Sequence, residues 1–317
     1  MNECTKIVYL MGTKISLYIK GEGAEKLAEK AEGMLIHYEE VFSANSDNSQ
    51  LAMLKKTASL APQEVDTELY ELIKIGKKHS LCENTYLNIA IGPLIKLWRI
   101  GFDEAHVPDK DAIVPLLELL KPENIQLDDE KKTVYFLKKG IEIDLGAIAK
   151  GYFADKVMEL FKENGAVSAM VDMGGNVLVF GEAPSEGGDW NVGIQNPFLP
   201  RGNAVALVKI KDQSVVTSGI YERVFEKDGI KYHHIFDSKT GYPIESNIAS
   251  LSIIADRSLD CDIYTTKLFG LDAASIIHRV NRIKGMGAVV ITVDGKLAYT
   301  DNLIGRIYPL TMQYSKK

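Results

Sequence analysis

The chain has 317 residues, 46% hydrophobic and 25% charged; Lys plus Arg is 37 against Asp plus Glu 43, a formal net charge of −6. That composition excludes a disordered chain, which combines low hydrophobicity with high net charge, and the acidic balance argues against general nucleic-acid binding, which needs a basic face. No window of about 18 apolar residues exists, so no membrane span is expected, and the three cysteines, Cys4, Cys82 and Cys261, form no CxxC pair, which suits a reducing compartment and speaks against zinc.

In chain order, two strand patterns open the sequence at 7–10 and 15–19. A helix follows, with Leu27, Ala31, Met34, Leu35, Tyr38 and Phe42 at helical spacing. The polar stretch 43–49 reads as a surface loop, because its Ser, Asn and Asp side chains bond their own backbone. Asp66 is placed to N-cap a second helix carrying Leu69, Leu72, Ile73 and Gly76 on one face. Short strands are expected at 134–136 and 141–143, then a helix from Ala149 that stops at Asn164-Gly165. Further strands are expected at 167–171, 177–180, 190–194, 204–210, 232–236 and 248–254, with helices at 259–269 and 273–280. A hairpin turned by Asp294-Gly295 ends the pattern. Strands and helices mix without a strict βαβ rhythm, so the expected class is α+β. No repeat, low-complexity tract or linker divides the chain.

Four segments carry polar residues into apolar pattern. Asp144-Leu145-Gly146-Ala147-Ile148-Ala149-Lys150-Gly151 joins a strand to a helix start, where free backbone N–H groups and Lys150 suit a phosphate; Asp144 could equally be a helix cap. Asp172-Met173-Gly174-Gly175-Asn176 is either a tight turn or a place where a flat ligand meets bare backbone. Thr217-Ser218-Gly219 precedes the run from Tyr232-His233-His234 to Asp237 and Thr240-Gly241. Adjacent histidines in a strand point to opposite faces, so one can be buried while the other serves a site. Last, Asp262 and Thr266 are four apart and share a helix face. A carboxylate plus hydroxyl or carbonyl oxygens suits a hard cation such as Mg²⁺, although an acidic residue in a first helical turn is also explained by the macrodipole.

Taken together and in order, these segments resemble the FAD:protein FMN transferases, the ApbE-like flavin transferase family. The resemblance runs from Met11-Gly12-Thr13 through the loop at 43–51, Ile91-Gly92-Pro93-Leu94 with Trp98, Asp144 to Gly151, Asp172 to Asn176 and Thr217 to Gly241, and closes at Asp262 to Thr266. It implies mixed sheets with packed helices, two interleaved lobes forming one unit over 1–317, and an FAD and Mg²⁺ site between them. It implies Mg²⁺-dependent transfer of the FMN half of FAD to a Thr or Ser hydroxyl of a target flavoprotein, with release of AMP. Met11, Asp144 and Lys150 would contact FAD, with Gly174, Gly175, Thr217, Ser218, Gly219 and Ile220 lining the flavin site beside Tyr221. Ala147, through its carbonyl, with Asp262 and Thr266 would hold the metal, Thr265 being a weaker candidate. His234 and Asp237 would be catalytic.

The chain departs from the family pattern at Asn88, where an acidic residue is usual, at Arg99, where Gly is common, and at Ser238, where Pro is common. With water in place of the target hydroxyl, the same site would be an FAD pyrophosphatase, and a non-catalytic FAD carrier is a third reading. The N-terminus, Met1-Asn2-Glu3-Cys4, lacks the apolar stretch of an export signal, so a cytoplasmic location is expected.

Overall fold

The structure is a computed structural model that describes residues 2–44, 46, 48–184 and 188–310. Among them, eight antiparallel strands form a central sheet in the order β1 (Asn2–Leu10), β2 (Thr13–Gly21), β6 (Ala166–Asp172), β7 (Asn176–Phe180), β10 (Ser214–Gly219), β15 (Ile248–Ala255), β16 (Gly287–Thr292) and β17 (Leu297–Tyr299). Smaller sheets are formed by β3 (Gln63–Glu64), β4 (Ile125–Asp128) and β5 (Thr133–Phe136), and by β8 (Trp190–Gln195), β9 (Ala204–Ile210) and β18 (Ile307–Pro309). Two ribbons, β11 (Val224–Lys227) with β12 (Ile230–His233) and β13 (Phe236–Asp237) with β14 (Tyr242–Pro243), stand apart from them.

Alternation along the central strands sorts their side chains into two cores. Ile15, Leu17 and Ile19 of β2 face the helices α1 (Ala24–Phe42), α3 (Thr67–Ser80) and α6 (Ala149–Glu163). Val216 of β10, with Leu251 and Ile253 of β15, faces α7 (Ser258–Leu268) and α8 (Ala273–Asn281). The opposite side chains, among them Tyr18, Val215, Ile254 and Val289, pack on the sheet of β8, β9 and β18. β15 is buried along its whole length because it has a layer on each face. Each such Ile or Leu contributes about 1.5–3 kcal/mol by leaving water. The class is the expected α+β.

Most expected elements are present. Asp66 caps α3 by accepting from the N–H groups of Glu68 and Leu69. The expected loop at 43–49 is followed by α2 (Gln50–Thr57), which Ser49 caps; Asn45 and Asp47 of that loop lie outside the described residues.

Two expectations are corrected. Residues 141–143 are buried but pair with no strand. Their backbone instead packs on the start of α4 (Gly92–Trp98), where a Cβ on Gly92 would lie 2.7 Å from the Glu142 carbonyl oxygen. The strand expected at 232–236 breaks after His233, because the chain turns through His234-Ile235 to begin β13. The sequence pattern also missed α4, β10 and the terminal β18, and the short α5 (Lys110–Ile113) completes the helices.

Trp98 is fully buried among Leu94, Ile113 and Phe236, and its indole N–H donates to the Gly241 carbonyl at 2.9 Å. This ties α4 to the turn after β13. The two departures from family pattern near α4 each have a local use. Asn88 accepts from Ala90 N–H and donates to the Leu120 carbonyl, both at 2.8 Å, and a carboxylate could not make the second bond. Arg99 takes a left-handed φ of 53° after α4, which explains why glycine suits the position; here the guanidinium is held by Glu104 and lies over Phe102.

Candidate functional site

The candidate residues converge on one end of the central sheet. The β1–β2 turn is Met11-Gly12, both with positive φ, 54° and 69°, as a two-residue type I′ hairpin loop requires. Asn is the favoured first residue of such a turn; Met there costs about 1–2 kcal/mol in backbone strain. Glu39 offsets part of it by accepting the Met11 N–H at 2.6 Å. Met11 is half-buried and packs against the edge of the core around α1, α3 and α6, so its side chain is partly held by packing and partly open at the sheet end.

The neighbouring turn between β6 and β7 lies against this hairpin. Asp172 accepts from Gly175 N–H at 2.9 Å, and Gly174, φ 73°, leaves no room for a Cβ, which would sit 2.0 Å from Thr13 Oγ1. Gly175 has nothing within 4 Å of a Cβ position, so its backbone faces open space. β10 continues past its last partner on β7, the pair Val216 and Asn176, so Thr217, Ser218 and Gly219 reach the same end. Thr217 shares a hydrogen bond with Ser252 at 2.7 Å. Gly219 lets the Tyr221 ring lie on the backbone, and Ile220 N–H donates to the Ala249 carbonyl at 3.1 Å.

Beside these turns α6 and α7 cross at near backbone contact. A Cβ on Gly151 would lie 2.5 Å from the Ser258 carbonyl oxygen and 2.8 Å from Leu259 Cα. The Gly151 N–H donates to the Asp262 carboxylate, so this donor is spent inside the protein rather than left free for a phosphate. Asp155 accepts from the N–H groups of Ser258 and Leu259 at 2.7 and 3.0 Å and so caps α7. Asp262 is 5% exposed. Burial pushes its carboxyl up to about 6, while Lys150, the Gly151 N–H and the Asn176 amide hold it down. Asn176 is itself buried. Its Oδ1 accepts from Ser258 at 2.6 Å, and its Nδ2 lacks a hydrogen bond of good geometry.

Thr266 is half-buried on the exposed side of α7, and Thr265 is fully buried with its hydroxyl donating to the Asp262 carbonyl at 2.9 Å. That commitment counts against Thr265 as a ligand. Ala147 lies half-buried in the turn before α6. Asp144 caps this turn, not the helix: it accepts from Gly146 N–H at 2.8 Å, and α6 begins without a side-chain cap. Burial raises the Asp144 carboxyl, opposed by the Gly146 N–H and by Arg223.

The two histidines divide as the sequence pattern allows. His233 is buried; its Nδ1 accepts from Ile235 N–H at 3.2 Å, so Nε2 is the protonated nitrogen and donates to the Ile244 carbonyl at 3.0 Å. His234 is half-exposed. Burial, Arg223, His233 and Lys150 lower it to about 4, so the ring is neutral at pH 7. Asp237 holds the turn after β13 by accepting from Lys239, Thr240 and Gly241 N–H groups. No contact joins its carboxylate to Asp144, Lys150, His234 or Asp262.

The cluster therefore contains Met11, Asp144, Lys150, Gly174, His234 and Asp262, with Asn176 and Arg223 as members that sequence reasoning did not single out. Asn176 ended a segment already marked, but Arg223 stood in a polar stretch that reads as solvated. Among the described residues, no three His, Cys, Asp or Glu side chains gather as a metal site. Among the described residues, no helix is long and apolar enough to cross a membrane.

The ApbE family profile matches residues 11–290. A FAD:protein FMN transferase of Klebsiella pneumoniae (strain 342) is 36% identical over 305 residues, covering 96% of this chain and 94% of the relative. One of Treponema pallidum (strain Nichols) is 35% identical over 330 residues, covering 99% and 91%. The solved ApbE protein of Thermotoga maritima superposes with a TM-score of 0.86 at 26% identity, covering 96% of this chain and 99% of its own.

Proposed function

The chain belongs to the ApbE family and is a flavinyltransferase, and we propose that it moves the FMN half of FAD onto a Thr or Ser hydroxyl of a target flavoprotein, with Mg²⁺ at the site and AMP released. The observation that carries this reading is a neutral histidine and a buried carboxylate that both feel the charge of one lysine, Lys150. His234 would take the proton of the attacking hydroxyl. That oxygen would bond to the phosphorus on the FMN side, and the bond from that phosphorus to the AMP oxygen would break, the electron pair leaving with AMP. Lys150 would add charge at the pyrophosphate. The nucleophile arrives on the partner, so the chain needs no serine or cysteine of its own.

The residues fit a hard divalent ion. Asp262 is a buried carboxylate whose charge burial disfavours, and Thr266 with the Ala147 carbonyl would complete an oxygen donor set. A single carboxylate suits Mg²⁺, which takes its remaining ligands from water and phosphate. When bound, the ion would neutralise pyrophosphate oxygens and stabilise the leaving AMP.

Met11, Gly174, Gly175, Thr217, Ser218, Gly219 and Ile220 line the sheet end where the flavin half would lie, with Asp144 at the opposite wall. In this reading the whole chain works as one unit. Asp237 would be the second catalytic residue; its Oδ1 accepts from Lys239 N–H, while the Thr240 and Gly241 N–H groups go to its main-chain carbonyl.

The test is incubation with FAD, Mg²⁺ and a candidate acceptor domain, followed by mass spectrometry of that domain. A gain equal to phosphoester-linked FMN, abolished by EDTA, is expected. Free FMN and AMP with no gain on any acceptor would identify a pyrophosphatase instead, and FAD left intact would reduce the chain to a carrier.

A further inference from the structure

The transfer as derived uses no atom of Arg223, yet this residue touches the base more closely than any other. Its carbonyl accepts from both the backbone N–H and the ring Nδ1 of His234, each at 3.3 Å. A carbonyl can only accept, so Nδ1 carries the ring proton and Nε2 carries the lone pair.

The side chain is placed as deliberately. Its stem crosses Gly101, φ 94°, where a Cβ would come within 3.0 Å of Arg223 Cδ and 3.3 Å of Cγ. Among the described residues the guanidinium has no hydrogen bond and no ion pair, whereas Arg99, Arg201 and Arg257 pair with carboxylates. Its field reaches the Asp144 carboxylate on one side and the His234 ring on the other.

We propose that Arg223 is the positioning residue for the base: its carbonyl holds His234 in the Nδ1–H tautomer, leaving Nε2 open as the proton acceptor, and its guanidinium adds a positive field to the burial that already disfavours a charged ring. Burial opposes protonation of the ring most, and the groups facing it, Arg223 just before β11, His233 at the end of β12 and Lys150 in the first turn of α6, add to that; the hydrogen bond to the Arg223 carbonyl favours it. Arginine suits the task because it cannot relieve the repulsion by losing its own proton. The catalytic meaning of this arrangement rests on the transfer reading above, but the tautomer and charge of His234 do not.

The experiment is a ¹⁵N NMR titration of the histidine rings in the full chain without FAD, from pH 4.5 to 8, with His234→Ala assigning the signal. In the wild type, His234 is expected to stay neutral, with the proton on Nδ1, down to about pH 5. In Arg223→Gln its midpoint should rise by about one pH unit, and in Arg223→Lys it should stay near the wild-type position. Arg223→Met keeps the stem over Gly101 and removes the charge, and gives the same answer if the Gln variant disturbs the hairpin. In transfer assays, the acid limb of kcat should move with the midpoint, about tenfold in rate along that limb, while KM for FAD changes little. An Nε2–H tautomer in the wild type, or uncharged variants that titrate with it, would overturn the proposal. The expected NMR result without any FMN transfer would instead count against the transfer reading alone.

Discussion

The α6–α7 crossing and the base of the β11–β12 hairpin supply adjoining parts of the cluster but are built in opposite ways. At the crossing, two helix backbones touch, Gly151 has no room for a methyl group, and Asp262 is buried with its partners already in place. At the hairpin base, His234 is half-exposed on a ribbon whose two strands pair only with each other among the described residues. The buried carboxylate is thus fixed by packing, while the histidine hangs on a few hydrogen bonds and the stacking of Phe225, Tyr232 and Trp98. Under the proposed transfer, this gives rigidity where phosphate charge would be held and access where the hydroxyl would arrive.

Changes at the crossing should damage fold and function together, and changes at the hairpin should separate them. The largest effect is expected from Gly151→Ala, which forces the Ser258 carbonyl away and pulls the Gly151 N–H off Asp262. It should cost about 2–3 kcal/mol in denaturant unfolding and remove transfer. Wild-type stability in that variant would mean that the helices separate without strain, and the contrast drawn here would fail. Asp262→Asn should lower transfer about 10³-fold yet leave the melting temperature equal or higher, because a buried charge has been removed. A variant that instead melts early would show the carboxylate to be structural.

His234→Ala should slow transfer about 10²–10³-fold with FAD binding and melting temperature retained. Loss of FAD binding with an unchanged rate for bound FAD would remove His234 as base. Gly174→Ala should cost about 1–2 kcal/mol from its left-handed backbone, with a further clash on Thr13 Oγ1. Adding Thr13→Ala should recover the clash but not the strain, which a double-mutant cycle separates.

The smallest effect is on stability against pH. His233 and His234 are both lowered in the folded state, so the unfolded chain binds more protons over the window between the ordinary histidine value and the folded ones. Their contribution is therefore complete above pH 6.5 and is lost as pH falls towards about 4. Replacing both by Gln should flatten that slope in pH-dependent denaturation, and an unchanged slope would show that the histidines do not carry it.

Much of the fold was legible because its signals are local. Asp66 stands immediately before the first residue of a helix with an apolar stripe, and β15 is a mostly apolar run, broken only by Ser250 and Ser252, long enough for a buried strand. The break at His234-Ile235 was not legible, because Tyr232 to Phe236 keeps strand composition while the chain changes ribbons. Residues 141–143 misled for a related reason: burial of Ile141 and Ile143 in the core around α1, α3 and α6 selects the same side chains as burial within a sheet. In the site, the four-residue spacing put Asp262 and Thr266 on one helix face, but their metal role, like the catalytic role of His234, was an expectation from the resemblance. Arg223 was hidden because its importance lies in a backbone carbonyl and in a glycine 122 positions earlier (223 − 101), neither of which sequence spacing reports.

The bond from Gly151 to Asp262 closes a loop of 111 residues, and β2 finds its neighbour β6 only after the whole of α1 to α6 has been made. Loop-closing entropy makes such pairings late and slow. During synthesis, β2 therefore emerges with one edge unpaired and waits for more than a hundred residues. The α6–α7 crossing cannot exist until Asp262 has left the ribosome, so chains halted before that point carry the turns at the sheet end, Lys150 and His234 without the carboxylate that the Gly151 N–H holds. Quality control that senses exposed strand edges would meet this protein mainly in that interval.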